Sequence, residues 1–271
     1  MNLMKPFFKR GAPLGQHLLT NPRVAEVIAK EAGAEKSGAT ILEVGPGKGA
    51  LTKELLKLGA KVIAVEKDSA MIATLREVFP REIASGQLNL IEGDARDVLN
   101  AEHSILNTPY SVAANIPYYI TGELIRLFLT AEHQPSSVVL LVQKEVADRI
   151  ARSRKESLLS LSVKAYGTPR YVQTVTAGNF NPPPKVDSAV LSITNISRQN
   201  FADASEERFF DLLHAGFGQK RKTLLGNLRR ALKETSAEDW QGIFTSLNLD
   251  ARVRAEDVSL STWLDLARHL K

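Results

Sequence analysis

The chain of 271 residues contains no cysteine. That excludes disulfide frameworks, cysteine-ligated zinc, iron–sulfur clusters and thiolate nucleophiles together. A chain of this length buries about three quarters of its unfolded surface, so it builds a core without cross-links or metals. Long apolar runs are missing too. The longest aliphatic stretch is Val138-Val139-Leu140-Leu141-Val142, against the roughly 20 residues that a membrane helix needs. Basic residues near the start (Lys5, Lys9, Arg10) have no apolar segment behind them, unlike a secretory signal. His103, His133, His214 and His269 show neither metal-ligand spacing nor a catalytic partner, so no metal is expected. These absences describe a soluble protein, expected in the cytoplasm with no membrane partner, of one large domain or one large and one small.

Acidic residues are scarce in three places. Residues 1–23 carry Lys5, Lys9, Arg10 and Arg23 and no acid; residues 144–155 carry five bases against Glu145 and Asp148. Residues 219–233 carry Lys220, Arg221, Lys222, Arg229, Arg230 and Lys233 and no acid. Outside these islands the chain stands at −8, although the whole is only +5. Segregated positive charge suits a polyanion lying across several patches, whereas a lone charge run is as often a solvated helix face. Both readings stay open for the first two islands. The third has no acids for i,i+4 pairing, which favours nucleic acid.

Asn21-Pro22 marks the start of a helix that ends near Gly33. Strand and helix patterns then alternate: TILEVG (40–45), a helix over 51–59, KVIAVE (61–66), a helix over 69–78, LNLIEG (88–93), YSVAAN (110–115), a helix over 123–129 and SSVVLLVQ (136–143). Short strands apolar on both faces, alternating with helices, predict a doubly wound α/β domain with a mostly parallel sheet. A helix from Lys144 to about Arg152 and a polar break over 152–157 follow. YVQTVT (171–176) and DSAVLSITNI (187–196), joined by the proline-rich loop NFNPPPKV, predict an antiparallel hairpin at the sheet edge. Beyond about 199 only helical signals remain: one helix capped by Ser205, one from Lys220, one with a Ser236/Asp239 capping box and one starting at Ser259 or Ser261. The expected division is a catalytic domain over 1–198 and a small all-helical domain over 199–271.

Glu43-Val44-Gly45-Pro46-Gly47-Lys48-Gly49 sits between a strand and a helix. Gly45, Gly47 and Gly49 there allow a tight turn and close approach of backbone to a ligand. Glu66 ends the next strand, where this fold places a carboxylate on ribose hydroxyls. Asp94 follows the third strand, within reach of an adenine amino group. A glycine loop alone also fits a dinucleotide or an empty turn; the G-x-G-x-G spacing favours S-adenosylmethionine.

Asn115-Ile116-Pro117-Tyr118 follows the fourth strand, on the edge where open α/β sheets keep their chemistry. Adenine N6 is a poor nucleophile because its lone pair is delocalised into the ring. The Asn115 side-chain oxygen and the Ile116 carbonyl are placed to accept its two hydrogens and localise that lone pair. Pro117 stiffens the turn, and Tyr118 offers a face for an extruded base while Tyr119 packs the core. Taken alone, the tetrapeptide is equally a helix cap.

Together, Glu43-x-Gly-x-Gly-x-Gly, Glu66, Asp94 and Asn115-Ile-Pro-Tyr resemble the ribosomal RNA adenine N6-dimethyltransferase family, most closely its bacterial small-subunit (16S) branch, the kasugamycin-sensitivity methylases. The resemblance covers nearly the whole chain, through Leu14-Gly15-Gln16-His17-Leu18-Leu19, Gln143-Lys144-Glu145-Val146-Ala147, Phe180-Asn181-Pro182-Pro183-Pro184-Lys185-Val186-Asp187-Ser188 and Phe217-Gly218-Gln219-Lys220-Arg221-Lys222-Thr223-Leu224. Leu18 stands where phenylalanine is usual, Leu158-Leu159 where a Tyr-Gly pair is usual, and Lys220 replaces an arginine. The resemblance implies a Rossmann-like S-adenosylmethionine-dependent methyltransferase domain. It implies dimethylation of two adjacent adenines in a 3′-terminal hairpin loop of 16S rRNA within the small ribosomal subunit, by an enzyme expected to be a monomer. It adds His17 and Leu19 to Glu43, the loop glycines, Glu66, Asp94 and Asn115 as cofactor contacts, and Phe180 as a second wall beside the target base. Lys220, Arg221, Lys222, Arg229 and Arg230 are expected on rRNA phosphates. A 23S rRNA dimethylase and a non-catalytic ribosome-assembly factor are the alternatives. The Gln-Lys-Glu-Val-Ala stretch and the long helical C-terminus favour the small-subunit branch, and the intact Asn115 tetrapeptide favours chemistry.

Overall fold

The computed structural model describes residues 17–100 and 108–270. Leu14, Gly15 and Gln16 of the opening motif, the basic residues Lys5, Lys9 and Arg10, and His103 lie outside the described residues.

A two-residue strand, β1 (Leu18–Leu19), precedes α1 (Pro22–Glu31). Asn21 caps that helix by accepting the Arg23 N–H, and Pro22 takes a position whose N–H the helix does not use. The alternation continues through β2 (Thr40–Val44), α2 (Ala50–Lys57), β3 (Lys61–Glu66), α3 (Ser69–Val78), α4 (Pro80–Ala84), β4 (Leu88–Glu92) and α5 (Ala95–Asn100). After it come β5 (Ser111–Asn115), α6 (Thr121–Thr130), β6 (Ser137–Gln143) and α7 (Lys144–Ala151). The sheet is completed by α8 (Leu158–Tyr166), β7 (Thr168–Val175), β8 (Phe180–Asn181) and β9 (Ser188–Thr194). Four helices close the chain: α9 (Glu206–Gly216), α10 (Leu224–Ala231), α11 (Ala237–Ser246) and α12 (Leu260–His269).

The seven-stranded sheet has the order β4-β3-β2-β5-β6-β9-β7, and β1 pairs with β8 in a separate two-stranded ribbon. Strands β2 to β6 are parallel, while β9 runs antiparallel to both β6 and β7. The predicted edge hairpin is therefore β7–β9, and β9 sits inside the sheet while β7 takes the edge, where Pro169 is tolerated.

Side chains alternate across this sheet. Ile41, Val62, Ala113, Val139 and Val190 face α1 and α2 with Val24, Ile28, Leu51 and Leu55. Leu42, Ile63, Val112, Leu140 and Leu191 belong to the core that holds Phe128 of α6 and Leu161 of α8. Burying each such side chain contributes roughly 1.5–3 kcal/mol. That second core runs without a break into the C-terminal helices, through Phe209 and Leu212, Leu228, Trp240 and Phe244, and Trp263 and Leu266. Polar ties cross residue 198 as well: Arg198 donates to the carbonyls of Thr130 and Ala131 and pairs with Glu206, and the Tyr166 hydroxyl donates to Glu206.

The short helices α4 and α5 and the two-residue strands β1 and β8 carry no sequence signal of their own, and three further features differ from the sequence expectation. Helix α8 follows the polar break, because Ser157 and Ser160 form a reciprocal capping box without the usual Glu or Gln. The second C-terminal helix begins at Leu224, not Lys220, because Thr223 caps it through the Gly226 N–H. Lys220, Arg221 and Lys222 thus occupy the turn before the helix. Tyr119, expected in the core, is 44% exposed, since the turn that carries it points its neighbour Tyr118 inward instead.

Gly216, at the end of α9, provides a test of the packing. A Cβ there would lie 2.4 Å from Cη2 of the buried Trp263. Helix propensity alone makes Gly216→Ala stabilising by about 1 kcal/mol, whereas overpacking a filled core costs about 1–3 kcal/mol. We expect packing to win, with a lower urea midpoint for the alanine variant; an increase would show that Trp263 has room to move.

Candidate active site

The glycine loop leaves β2 and turns into α2 with Gly45, Gly47 and Gly49 all at positive φ. At Gly47 the need is twofold. Its φ is 56°, and a Cβ would lie 2.9 Å from Leu18 Cδ2, so the loop passes tightly under β1. Its N–H donates to Glu66 Oε2 at 3.1 Å, tying the loop to the end of β3. Gly49, at φ 83°, serves packing: a Cβ there would fall 2.5 Å from Phe79 Cε2.

Over this loop lies a cleft lined by His17, Leu18, Leu19, Glu43, Gly45, Pro46, Gly47, Lys48 and the whole Asn115-Ile116-Pro117-Tyr118 tetrapeptide. The expected residues His17, Leu19, Glu43, Gly45, Gly47, Asn115, Ile116, Pro117 and Tyr118 are thus brought together. Gly49, Glu66 and Asp94 do not line this cleft. Among the described residues no group of three His, Asp or Glu is placed to hold a metal.

Glu43 is 1% exposed. Its Oε2 accepts from the Thr52 hydroxyl at 2.7 Å, and its buried Oε1 has no partner among the described residues. Burial pushes its pKa up to about 8, the nearby Glu66 charge adds to the rise, and the Thr52 hydrogen bond opposes it. Glu66 is also buried; its Oε1 accepts the N–H groups of Lys67 and Asp68 at 2.9 and 3.0 Å. With the Gly47 contact, three of about four lone-pair positions are filled, so one acceptor direction remains. Asp94 lies beyond the end of β4, gripped by the Arg96 guanidinium and contacted by Lys67 at 3.5 Å. The Arg96 hydrogen bond holds its carboxyl well below the usual range.

The tetrapeptide begins at the carboxyl end of β5. Asn115 Nδ2 donates to the His17 carbonyl at 3.0 Å, which fixes the amide orientation and leaves Oδ1 as the acceptor. No donor among the described residues meets that oxygen. His17 itself is held at the cleft mouth: its Nδ1 meets the Pro182 carbonyl at 2.8 Å, and its ring stacks on Tyr118 with centroids 6.0 Å apart. The Tyr118 hydroxyl hydrogen-bonds Ser188 Oγ at 2.6 Å, and burial raises its pKa. Thr52, Ser188 and the His17 carbonyl escaped the sequence reading because each acts through a contact distant in the chain.

Phe180 departs from its expected place beside a base. It is 4% exposed, on a strand paired with Leu19, and packs into the core with Val24 and Leu51. Pairing with β1 turns the ring inward, leaving no free face. The basic islands also separate. In the second, Arg149 pairs with Glu145, Arg152 pairs with Asp148 and lies over the Tyr171 ring, and Lys155 pairs with Glu256. In the third, Lys220, Arg221, Lys222, Arg229 and Arg230 are all exposed. Arg229 donates to the Ala237 carbonyl, and none of the five has a carboxylate within ion-pair distance among the described residues.

Comparison with known proteins follows the same geometry. A family model described as ribosomal RNA adenine dimethylase matches residues 8–271. A protein of Dehalococcoides mccartyi named ribosomal RNA small subunit methyltransferase A is 39% identical over 251 residues, covering 92% of this chain and 84% of that protein. One of the same name from Acidobacterium capsulatum is 36% identical over 269 residues, covering 97% and 92%. Among solved structures, a dimethyladenosine transferase from Plasmodium falciparum matches with a TM-score of 0.74 and 28% identity over 92% of this chain and 96% of that one. The 23S rRNA methyltransferase ErmE matches with a TM-score of 0.70 at 22% identity over 93% and 99%, a likeness of fold.

Glu43 generates a pH prediction. Its folded pKa is raised, so the stability it contributes is full below the unfolded value of 4.5 and is lost as pH rises towards about 8. Glu43→Gln keeps an acceptor for Thr52 and removes the titration. Between pH 5 and 9 the parent should lose up to roughly 4 kcal/mol relative to the variant. Denaturant titrations of both proteins across that range measure it; parallel curves would mean that Glu43 is already ionised at neutral pH.

Proposed function

This chain belongs to the ribosomal RNA adenine dimethylase family, and on that premise we propose that it dimethylates N6 of two adjacent adenines in a 3′-terminal hairpin loop of 16S rRNA, within the small ribosomal subunit. It is an rRNA adenine dimethyltransferase; the subunit, the loop and the pair of adenines are the finer reading. The methyl donor is of the S-adenosylmethionine type, and we take it to be S-adenosylmethionine itself. No helix among the described residues is long and apolar enough to cross a membrane. We place the enzyme in the cytoplasm, as a monomer.

The observation that carries the reading is Asn115, with its amide nitrogen committed to the His17 carbonyl and its oxygen left to accept on the wall of the cleft. Asn115 Oδ1 accepts one N6 hydrogen and the Ile116 carbonyl the other. Holding both turns the lone pair out of conjugation with the ring, with no strong base required. Tyr118, stacked on His17 and anchored to Ser188, supplies a rigid wall for the extruded adenine. An unpaired hairpin loop keeps extrusion within a few kcal/mol.

The residues fit the donor. S-Adenosylmethionine, when bound, supplies an electrophilic methyl group on a sulfonium. Glu43, held neutral by burial, gains an ion-pair partner when a cationic ligand meets its unpartnered Oε1 at the floor of the cleft, and at Gly45 a Cβ would find nothing nearer than the Asn115 carbonyl at 3.9 Å, which leaves backbone in reach of the ligand. The free acceptor direction of Glu66 suits a ribose hydroxyl. In the proposed division, residues 199–271 bind rRNA, and the exposed Lys220-Arg221-Lys222 turn with Arg229 and Arg230 meets phosphates.

Two experiments test this. Asn115→Ala should leave folding and subunit binding nearly intact while methyl transfer falls on the order of 10²–10³-fold in a single turnover, by analogy with removal of one oxyanion-hole donor. A variant that methylates unmodified subunits at the parent rate would leave Asn115 as a helix cap. Simultaneous replacement of Lys220, Arg221 and Lys222 by alanine should preserve donor affinity. It should also lower the slope of log K against log salt for subunit binding by about two to three units. An unchanged slope would return this turn to an ordinary solvated surface.

A further inference from the structure

Large apolar side chains exposed among the described residues are Val78, Tyr119 and Val186, and two of these three flank the Tyr118–Ser188 hydrogen bond along the chain. Tyr119 follows directly on Tyr118, which lines the cleft. Val186 is two residues before Ser188, whose hydroxyl holds Tyr118. The Lys144 N–H donates to the Asp187 carbonyl at 3.0 Å, and Gln143 is paired with Ser188, so the start of α7 lies against this loop. Lys144 and Lys185 are exposed. Their neighbouring acids are engaged elsewhere, Glu145 with Arg149 and Asp187 with the Ala177 N–H.

We infer that this surface seats the nucleotide next to the target adenine, with its base stacked on Tyr119 beside Val186 and its phosphates against Lys144 and Lys185. The inference rests on the reading of the substrate as an unpaired rRNA segment. A base extruded onto Tyr118 leaves its neighbour unstacked, and an exposed aromatic one residue away replaces the lost stacking partner. Every base has such a face, so the seat takes any flanking base, while a pair of adjacent targets finds it in both registers. Two ammonium groups with no ion-pair partner among the described residues, beside two acids already engaged, favour a polyanion over a protein partner.

The test uses the full chain and an RNA hairpin carrying 2-aminopurine immediately beside the target adenine. Parent protein should quench its fluorescence by stacking. Tyr119→Ala should abolish the quenching and weaken binding roughly 5- to 100-fold, whereas Tyr119→Phe, which keeps the ring, should behave as the parent. Lys144→Ala and Lys185→Ala should each lower the salt slope by about 0.7 while leaving quenching in place. Quenching unchanged in Tyr119→Ala, or Tyr119→Phe as impaired as the alanine, would overturn the inference. Binding is scored without methyl transfer, so a hairpin that is bound and stacked but never methylated fails the substrate reading alone.

Discussion

The hydrogen bond from Asn115 Nδ2 to the His17 carbonyl joins the two halves of the site. One partner ends a buried parallel strand; the other precedes a two-residue strand paired with the loop before β9. Neither alone defines which amide atom faces the cleft. With the bond made, the acceptor is oriented before any base arrives, and no reorganisation accompanies reaction. The same short segment covers the glycine loop through Leu18 and braces Tyr118 through the His17 ring. Donor-side and base-side groups therefore share one brace.

Electrostatics divides the site in a matching way. Glu43, enclosed and lacking a second partner, favours its neutral form. Glu66 nearby is satisfied by three backbone N–H groups and tolerates burial for that reason. Two carboxylates close together are thus kept from competing by different numbers of hydrogen bonds. Asp94, farther along the edge, is neutralised by Arg96, so a ligand that uses it displaces or shares that guanidinium.

Much of this was legible in the sequence. Short runs apolar on both faces located the seven sheet strands, and Asn21, Ser205, Ser236 and one of the pair Ser259 and Ser261 marked helix starts because caps are local chemistry; the last cap is Ser259. The glycine loop and the tetrapeptide could be placed on one edge because strand order follows from alternation. What escaped depended on contacts between distant residues. A strand of two residues has no periodicity, so the β1–β8 ribbon was invisible, and with it the inward turn of Phe180. Ser157-x-x-Ser160 lacks the acidic partner that usually signals a capping box, and α8 was missed. Which of Tyr118 and Tyr119 points inward depends on Ser188, seventy positions away.

The reversed direction of β9 has one more consequence. In an all-parallel sheet each loop at the carboxyl edge leads out of a strand and into a helix, so lengthening it disturbs helix packing. Here the segment between β7 and β9 runs from one edge strand back into the sheet and carries a 3₁₀ turn (Ala177–Asn179) and the two residues of β8 on its way. Through the β8 pairing and the His17–Pro182 contact it also holds β1 over the glycine loop, so a change in its length reaches the floor of the cleft without touching β2 or β3 directly. A reversal of chain direction at the sheet edge thus couples the two sides of the cleft through one short ribbon.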